Sequence, residues 1–494
     1  MEQPDEFRQL ADYLGTDSAD AVRGWCRANG HRVRVPRPPW RSSDGYSGAW
    51  LHSLLVDRGR VSYKVLVKRI PPWPENPSSP GWPTGEPARH RFFLDDDPTG
   101  FARDHLVGQR FDALTTQSGH VLMFQDLAAD GGTTVPLAEV PPERLADACA
   151  LVLGGVTGSW NDYRLSRPSV SVSRFLHDEV GATVASGGTL NGWARRAGLL
   201  DIRDAWLMVD PAGPVLPNPL PSAAGHWWDG TPPPIDVLSG RTHGDLHLLN
   251  VLIPVTPDGV PDLGAYRIID LATARETGSL TRDLVTMLLS AIGGGLDSLP
   301  EDRWQPLIRH LLDLGRGDGP EPPFAVTTAL CETFARTVSR TRTGSTGAWQ
   351  LQYWLSLQAL GLAFTAYARF RPAVRWWFFQ LAAYAAGAAL RVLAPGRVAP
   401  RTARLVPNPF QVGQTATDQT GTPLSAYDRK MPEPDDEAGL VALFNEAVRL
   451  EATDTALALR RYQQVFVRAR SVLGADHQVT VRAEAALRRW DLRR

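Results

Sequence analysis

The chain is poor in lysine, in cysteine and in net charge, and each shortage narrows what it can be. Of its 52 basic residues only Lys64, Lys68 and Lys430 are lysines, so arginine supplies nearly every generic positive charge. Cys26, Cys149 and Cys331 lie far apart with no Cys-x-x-Cys pair, which fits a reducing compartment and argues against a disulfide framework or a zinc site. With 53 acidic residues the formal balance is −1, leaving no basic field for a nucleic acid or an anionic membrane surface. No run supplies the ~20 uninterrupted apolar residues that a membrane span needs. The most apolar stretch, 354–392, is interrupted by Arg369, Arg371 and Arg375 and reads as a pair of buried helices. The N-terminus, MEQPDEFRQLADYLG, opens acidic and lacks an apolar signal core, so a cytoplasmic protein is expected.

What is present is a globular chain of 494 residues with 43% hydrophobic content, enough for two or three domains. Residues 1–30 read as an N-terminal helical segment. From 31 to 130 the β-branched runs GAWLHSLLV and VSYKVLVKRI, joined by the turn DRGR, predict a small antiparallel sheet. A proline-rich loop follows them, then a helical stretch through FARDHLVGQRFDAL and a strand in HVLMFQDLA. Residues 131–395 are mainly helical, with an insertion at about 155–240. A Pro, Thr, Gly and Gln-rich linker is expected over 396–435, and amphipathic helices over 436–494.

The chemistry-bearing stretch is RTHGDLHLLNVLI, residues 241–253. Asp245 precedes Asn250 by five residues, and Asn250 leads into an apolar strand. Asp270 follows twenty residues later, after the apolar RII. The intervening PVTPDGVPDLGAY has the Asp-Gly and Pro punctuation of a turn, so the two strands pair as a hairpin and bring Asn250 beside Asp270. A carboxylate next to an amide carbonyl suits Mg2+, which keeps waters and phosphate oxygens for its other positions. Asp245, just ahead of them, is placed to orient a substrate hydroxyl and take its proton. His243 and His247 read as loop supports.

The set His243-Gly244-Asp245-x-His247-x-x-Asn250, then Ile269-Asp270, then Asp283 resembles the aminoglycoside phosphotransferase and choline kinase branch of the protein-kinase-like fold. The resemblance implies an α+β, bilobal fold: a small antiparallel β N-lobe over 31–130 that binds nucleotide, and a large helical C-lobe over 131–395. It makes Asp245 the catalytic base, Asn250 and Asp270 the Mg2+ ligands, and Asp283 the brace of the catalytic loop, with ATP as donor. Glycine at 244 and only twelve residues between Asp270 and Asp283 favour a small-molecule hydroxyl acceptor over a protein one.

The same resemblance assigns an N-lobe strand lysine to the α- and β-phosphates, and VLVK makes Lys68 that residue. Its helix carboxylate is Glu86 or, in competition, Asp104. Gly45 and Gly48 in DGYSGAWL stand where backbone amides would cover phosphates, and 123–128 where adenine would meet backbone. Asp162, Asp178 and Glu179 are the insertion carboxylates available to a cationic acceptor, and Trp227 and Trp228 are candidates for stacking on a ring. The tail, with LGADHQVT between helices, resembles a tetratricopeptide pair and implies a site for a protein partner. A kinase-like scaffold of a bacterial multi-protein conflict system, or a protein-modifying enzyme, is the alternative function.

Overall fold

The computed structural model describes residues 4–37, 41–42, 50–72, 83, 85–162, 164–185, 188–199, 204–223, 233–317, 319, 321–339, 348–367, 369–406, 408 and 437–450, and part of 462–491. Two compact units result, Met1–Val412 and Gly413–Arg494.

The first unit begins with two helices, α1 (Pro4–Leu14) and α2 (Thr16–Asn29), the second closed by Gly30 in the left-handed region at φ 64°. Six antiparallel strands follow: β1 (His31–Arg34), β2 (Arg41–Ser42), β3 (Trp50–Arg58), β4 (Val61–Ile70), β5 (Gln109–Thr115) and β6 (Val121–Asp126). They are ordered β1-β3-β4-β6-β5, with β2 on β3. Alternation along β4 decides what each face does. Val65 and Val67 are fully buried and pack, with Leu54, Val56 and Phe124, against Leu10, Leu14, Val22 and Cys26 of α1 and α2. Lys64, Leu66 and Lys68 take the opposite face. There Lys68 lies in register between Leu51 and Met123, toward the helix α3 (Glu86–Asp95).

The helix expected through FARDHLVGQRFDAL is short: only Phe101–His105 is helical, and Gln109 onward is β5. The break has a local cause. The Asp126 N–H donates to the Gly108 carbonyl at 2.8 Å, and a Cβ at position 108 would lie 2.3 Å from Asp126 Oδ2, so the chain must leave the helix to hug β6. Phe111 then packs edge-on to Trp25 of α2.

In the helical lobe, Ser239–Thr242 pairs with Arg275–Ser279, and Val251–Pro254 lies between Arg267–Ile268 and Thr134–Pro136. Helices Pro142–Thr157, Leu280–Gly295, Pro322–Ser339 and Ala348–Thr365 bury Leu153, Leu284, Leu288, Phe334 and Tyr353 in one core. The helices Val172–Val184 and Thr189–Arg196, from the expected insertion, form a second core with Leu355, Ala359, Trp376 and Phe379. The apolar stretch 354–392 falls on two helices, Ala348–Thr365 and Pro372–Leu393. Arg369 and Arg371 lie between them, and Arg375 donates to the Thr365 carbonyl at 2.8 Å. No helix among the described residues is long and apolar enough to cross a membrane. The architecture is α+β and kinase-like, a small antiparallel sheet lobe joined to a helical lobe, with a helical C-terminal region.

The second unit contains helices Glu437–Leu450 and Gln478–Asp491. Leu440, Leu443, Val465, Ala469, Val479 and Ala483 make its core, and Phe444 lies edge-on to Tyr462. Of the linker expected at 396–435, residues 396–406 and 408 are described, with Arg404–Leu405 pairing in parallel with Leu207–Met208; from 409 on it lies outside the described residues.

Candidate active site

The loop after Ser239–Thr242 is held by its backbone. Gly244 sits at φ 80°, and a Cβ there would come 2.4 Å from the Thr273 carbonyl oxygen, so both the dihedral and the space demand glycine. Asp283, in the first turn of Leu280–Gly295 and fully buried, accepts the His243 N–H at 2.7 Å and the Gly244 N–H at 2.8 Å. Burial pushes its carboxyl above the ordinary range, against the opposing pull of His243 and the two amides. His243 joins the loop to the neighbouring strand. Its Nε2 lies 2.8 Å from the Ile269 carbonyl and its Nδ1 3.2 Å from the Asp245 N–H. Nε2 therefore carries the proton and Nδ1 accepts, which fixes the tautomer.

Asp245 is thus locked through its main chain while its side chain stays 43% exposed. Its carbonyl accepts from Asn250 Nδ2 at 2.9 Å and from the His247 N–H at 2.8 Å. His247 does not hold the carboxylate: its Nε2 is 3.7 Å from Asp245 Oδ2, too long for a hydrogen bond, and its Nδ1 accepts from the Leu249 N–H. Burial lowers the His247 pKa.

The hairpin pairs Val251 with Ile268, and one step on the Ile269 N–H donates to the Asn250 carbonyl at 3.0 Å, which sets Asn250 beside Asp270. With its Nδ2 committed to Asp245, Asn250 has its side-chain oxygen left to offer. One amide oxygen and one carboxylate fit a hard cation that keeps water and phosphate ligands. Among the described residues, no group of three or more His, Cys, Asp or Glu forms a cage that would suit a softer or fully enclosed metal.

Asp270 is one of three described non-glycine residues in the left-handed region, at φ 65°, a strained setting that turns its carboxylate back toward the sheet lobe. It meets Lys68 there, with Nζ 3.2 Å from Asp270 Oδ2 and 2.8 Å from Glu86. Burial alone would lower Lys68, but the two carboxylates reverse that and keep the ammonium charged. Burial pushes Glu86 up to about 7, while for Asp270 the attraction of Lys68 and His243 outweighs burial and holds the carboxyl below its ordinary value. Arg89, one turn along α3, donates to the Ala272 carbonyl and so ties the helix to the segment behind Asp270. Asp104 is engaged elsewhere, 2.9 Å from Arg103 and 57% exposed. Lys64 is exposed.

Gly45, Gly48, Trp227 and Trp228 lie outside the described residues. The segment 123–128 spans the end of β6, where the Asp126 N–H is already taken by the Gly108 carbonyl, and runs through Leu127 to Ala128, where a short 3-10 turn begins. Arg282 escaped the sequence reading, and Glu179, read there as a carboxylate for a cationic acceptor, is its partner instead. Arg282 donates from Nε to the Gly244 carbonyl at 2.6 Å, and from Nη1 to the carbonyl and, at 3.2 Å, the carboxylate of Glu179. The insertion helix Val172–Val184 is thereby fastened to the loop. Arg282 stands next to Asp283 in sequence, which was the available signal; nothing local marks Glu179 as its partner.

No protein-family model and no curated sequence matches the chain. Among solved structures it is similar to a glucosamine kinase in complex with glucosamine, ADP and inorganic phosphate, at 14% identity over 77% of this chain and 86% of that one, with a TM-score of 0.34. It is also similar to a candidate aminoglycoside phosphotransferase from Ralstonia eutropha JMP134, at 10% identity over 77% of this chain and 99% of that one, with a TM-score of 0.38.

Proposed function

We propose that the chain is an ATP- and Mg2+-dependent phosphotransferase that moves the γ-phosphoryl group to a hydroxyl of a small molecule. The observation that carries this reading is the convergence of Lys68, Glu86 and Asp270 beside a loop whose backbone fixes Asp245 and Asn250. Lys68, oriented by Glu86, binds the α- and β-phosphates as a point charge. Asn250 and Asp270 hold Mg2+, which when bound offsets phosphate charge. Asp245 accepts the acceptor's hydroxyl proton as that oxygen bonds to the γ-phosphorus and the bond to the ADP oxygen breaks. Asp283, His243 and Arg282 position the loop without touching the reacting atoms.

The test is ATP consumption across a panel of hydroxylated metabolites, repeated with Asp245→Asn and Asp270→Asn. Turnover that needs an acceptor and vanishes in both variants supports the assignment; turnover retained in both sinks it.

A second reading gives the chain a protein partner at its C-terminal helices. Val441, Val448 and Val481 are exposed there, apolar positions that a docked chain would cover. A defined partner whose binding is lost on deleting 436–494, with ATP bound but not consumed, favours it.

A further inference from the structure

The helix α3 carries Glu86, yet by packing it belongs to the helical lobe. Phe93, fully buried on α3, lies in the same core as Val156, Leu246 and Leu284, whereas the sheet has a separate core shared with α1 and α2. Phe93 meets Trp160 edge-on, with ring centroids 5.1 Å apart. Both ends of α3 are also tied to that lobe. At its start Glu86 reaches Asp270 through Lys68, and Arg89 donates to the Ala272 carbonyl. At its end Asp96 takes one arginine on each carboxylate oxygen: Arg241 Nη2 lies 2.6 Å from Oδ2, and Arg164 Nη2 lies 2.9 Å from Oδ1. Glu276, 3.4 Å from Arg164 Nη1, makes the group two cations and two carboxylates.

Arg241 stands at the root of the loop, four residues before Asp245. Asn161 holds its main chain on both sides, accepting the Arg241 N–H at 2.6 Å and donating to its carbonyl at 2.9 Å. The Arg241 side chain is fully buried against Phe93, with Cζ 5.6 Å from the ring centroid, and its Nε and Nη1 have no hydrogen-bond partner. A buried ion pair with donors to spare is a poor source of stability, because desolvation cancels much of the attraction. What the pair does supply is a link: one side chain joins the root of the Asp245 loop to the end of the helix whose first residue holds Lys68.

We propose that Asp96 and Arg241 are positioning residues for the nucleotide: their ion pair holds α3 on the helical lobe, so that Glu86 presents Lys68 at a fixed place relative to Asp245 and Asp270. Neither residue touches the reacting atoms. The nucleotide in this statement rests on the phosphotransferase reading, but the attachment of α3 is tested without it. Asp96→Asn and Arg241→Met each remove the pair at nearly constant volume, and hydrogen exchange of the full chain, free of nucleotide, reads the attachment. Peptides covering 86–95 are expected to exchange about tenfold faster or more in both variants, with the helix Leu280–Gly295 and α2 unchanged. Unchanged protection of α3 overturns the proposal. So does a loss shared equally by Leu280–Gly295, which marks a fold weakened as a whole. If Arg241→Met does not fold, Asp96→Asn decides alone.

Calorimetry with Mg2+ and a non-hydrolysable ATP analogue reads the consequence for Lys68. Asp96→Asn is expected to weaken binding about tenfold in the wild-type chain and, because it acts through Glu86, by no more than about twofold in a Glu86→Gln chain. Losses that multiply in the double variant overturn the route through Glu86. In turnover the defect appears as a raised KM for ATP with the KM for the acceptor unchanged, and an equal rise in both overturns the positioning role. If no acceptor is turned over, the phosphotransferase reading fails while exchange and calorimetry still decide this one.

Discussion

Lys68 of the sheet lobe and Asp270 of the helical lobe meet at 3.2 Å, so β4 and the end of the hairpin share one ion pair. Glu86, at 2.8 Å, completes a triad with one ammonium between two carboxylates. Lys68→Met keeps much of the volume and removes the charge. It is expected to lower kcat/KM for ATP by about a hundredfold or more, the loss of a buried charged contact of roughly 3 kcal/mol. Glu86→Gln should cost about tenfold, because Lys68 keeps Asp270 and loses only its second anchor. Steady-state kinetics with nucleotide titration checks both, and a Lys68→Met chain with wild-type ATP affinity would contradict the assignment.

Asp245 and Asp270 should fail in different ways. Asp245→Asn removes the proposed proton acceptor and leaves the loop's main-chain bonds in place, so kcat is expected to fall about 10²- to 10⁴-fold with ATP affinity near normal. Asp270→Asn removes a carboxylate that pairs with Lys68 and is proposed to hold Mg2+. Its signature is a weakened dependence of nucleotide binding on Mg2+, read by calorimetry with and without the metal. Identical phenotypes for the two variants would refute the division of roles.

Asp283 and Gly244 are predicted to matter through folding of the loop. Asp283→Ala leaves two buried N–H groups without acceptors, at about 1–3 kcal/mol each, so a loss of several kcal/mol is expected in urea unfolding. Gly244→Ala meets backbone, not a side chain that can swing away, at a dihedral that L residues rarely adopt. It should cost about 1–3 kcal/mol and lower kcat, with ATP affinity little changed. A Gly244→Ala chain with wild-type stability and kcat would show that the loop has another conformation available.

Much of this was legible because the relevant signals are local. The period-two pattern of VSYKVLVKRI puts Lys68 opposite Val65 and Val67, and the turn residues between Asn250 and Asp270 announce a hairpin; both follow from short-range geometry. The choice between Glu86 and Asp104 was not legible, since it depends on where α3 lands against β4. The strand after His105 was misread for a similar reason: FARDHLVGQRFDAL has helical spacing, and the close approach of Gly108 to Asp126 that breaks it is tertiary. Arg282 and Glu179 lie far apart in sequence, and neither local stretch announces the pair.

The last prediction concerns pH and a residue with no chemical role. His90, fully buried on α3, has Nε2 2.5 Å from the Val107 carbonyl, while its Nδ1 is buried without a hydrogen-bond partner. Burial first, and Lys68 in addition, push its pKa down to about 4, with the Val107 carbonyl pulling the other way. In the unfolded chain it returns to about 6.5. Between these values the unfolded state binds the extra proton, so stability is complete above pH 6.5 and falls as pH drops toward 4. The full effect is about 3 kcal/mol. His90→Gln keeps a donor for Val107 and cannot titrate. Carboxylates titrate in the same range in both proteins, so the readout is the difference in unfolding free energy, wild type minus His90→Gln, from pH 7 to pH 4. That difference should shift against the wild type as pH falls. A difference independent of pH would mean that His90 is protonated equally in the folded and unfolded chains.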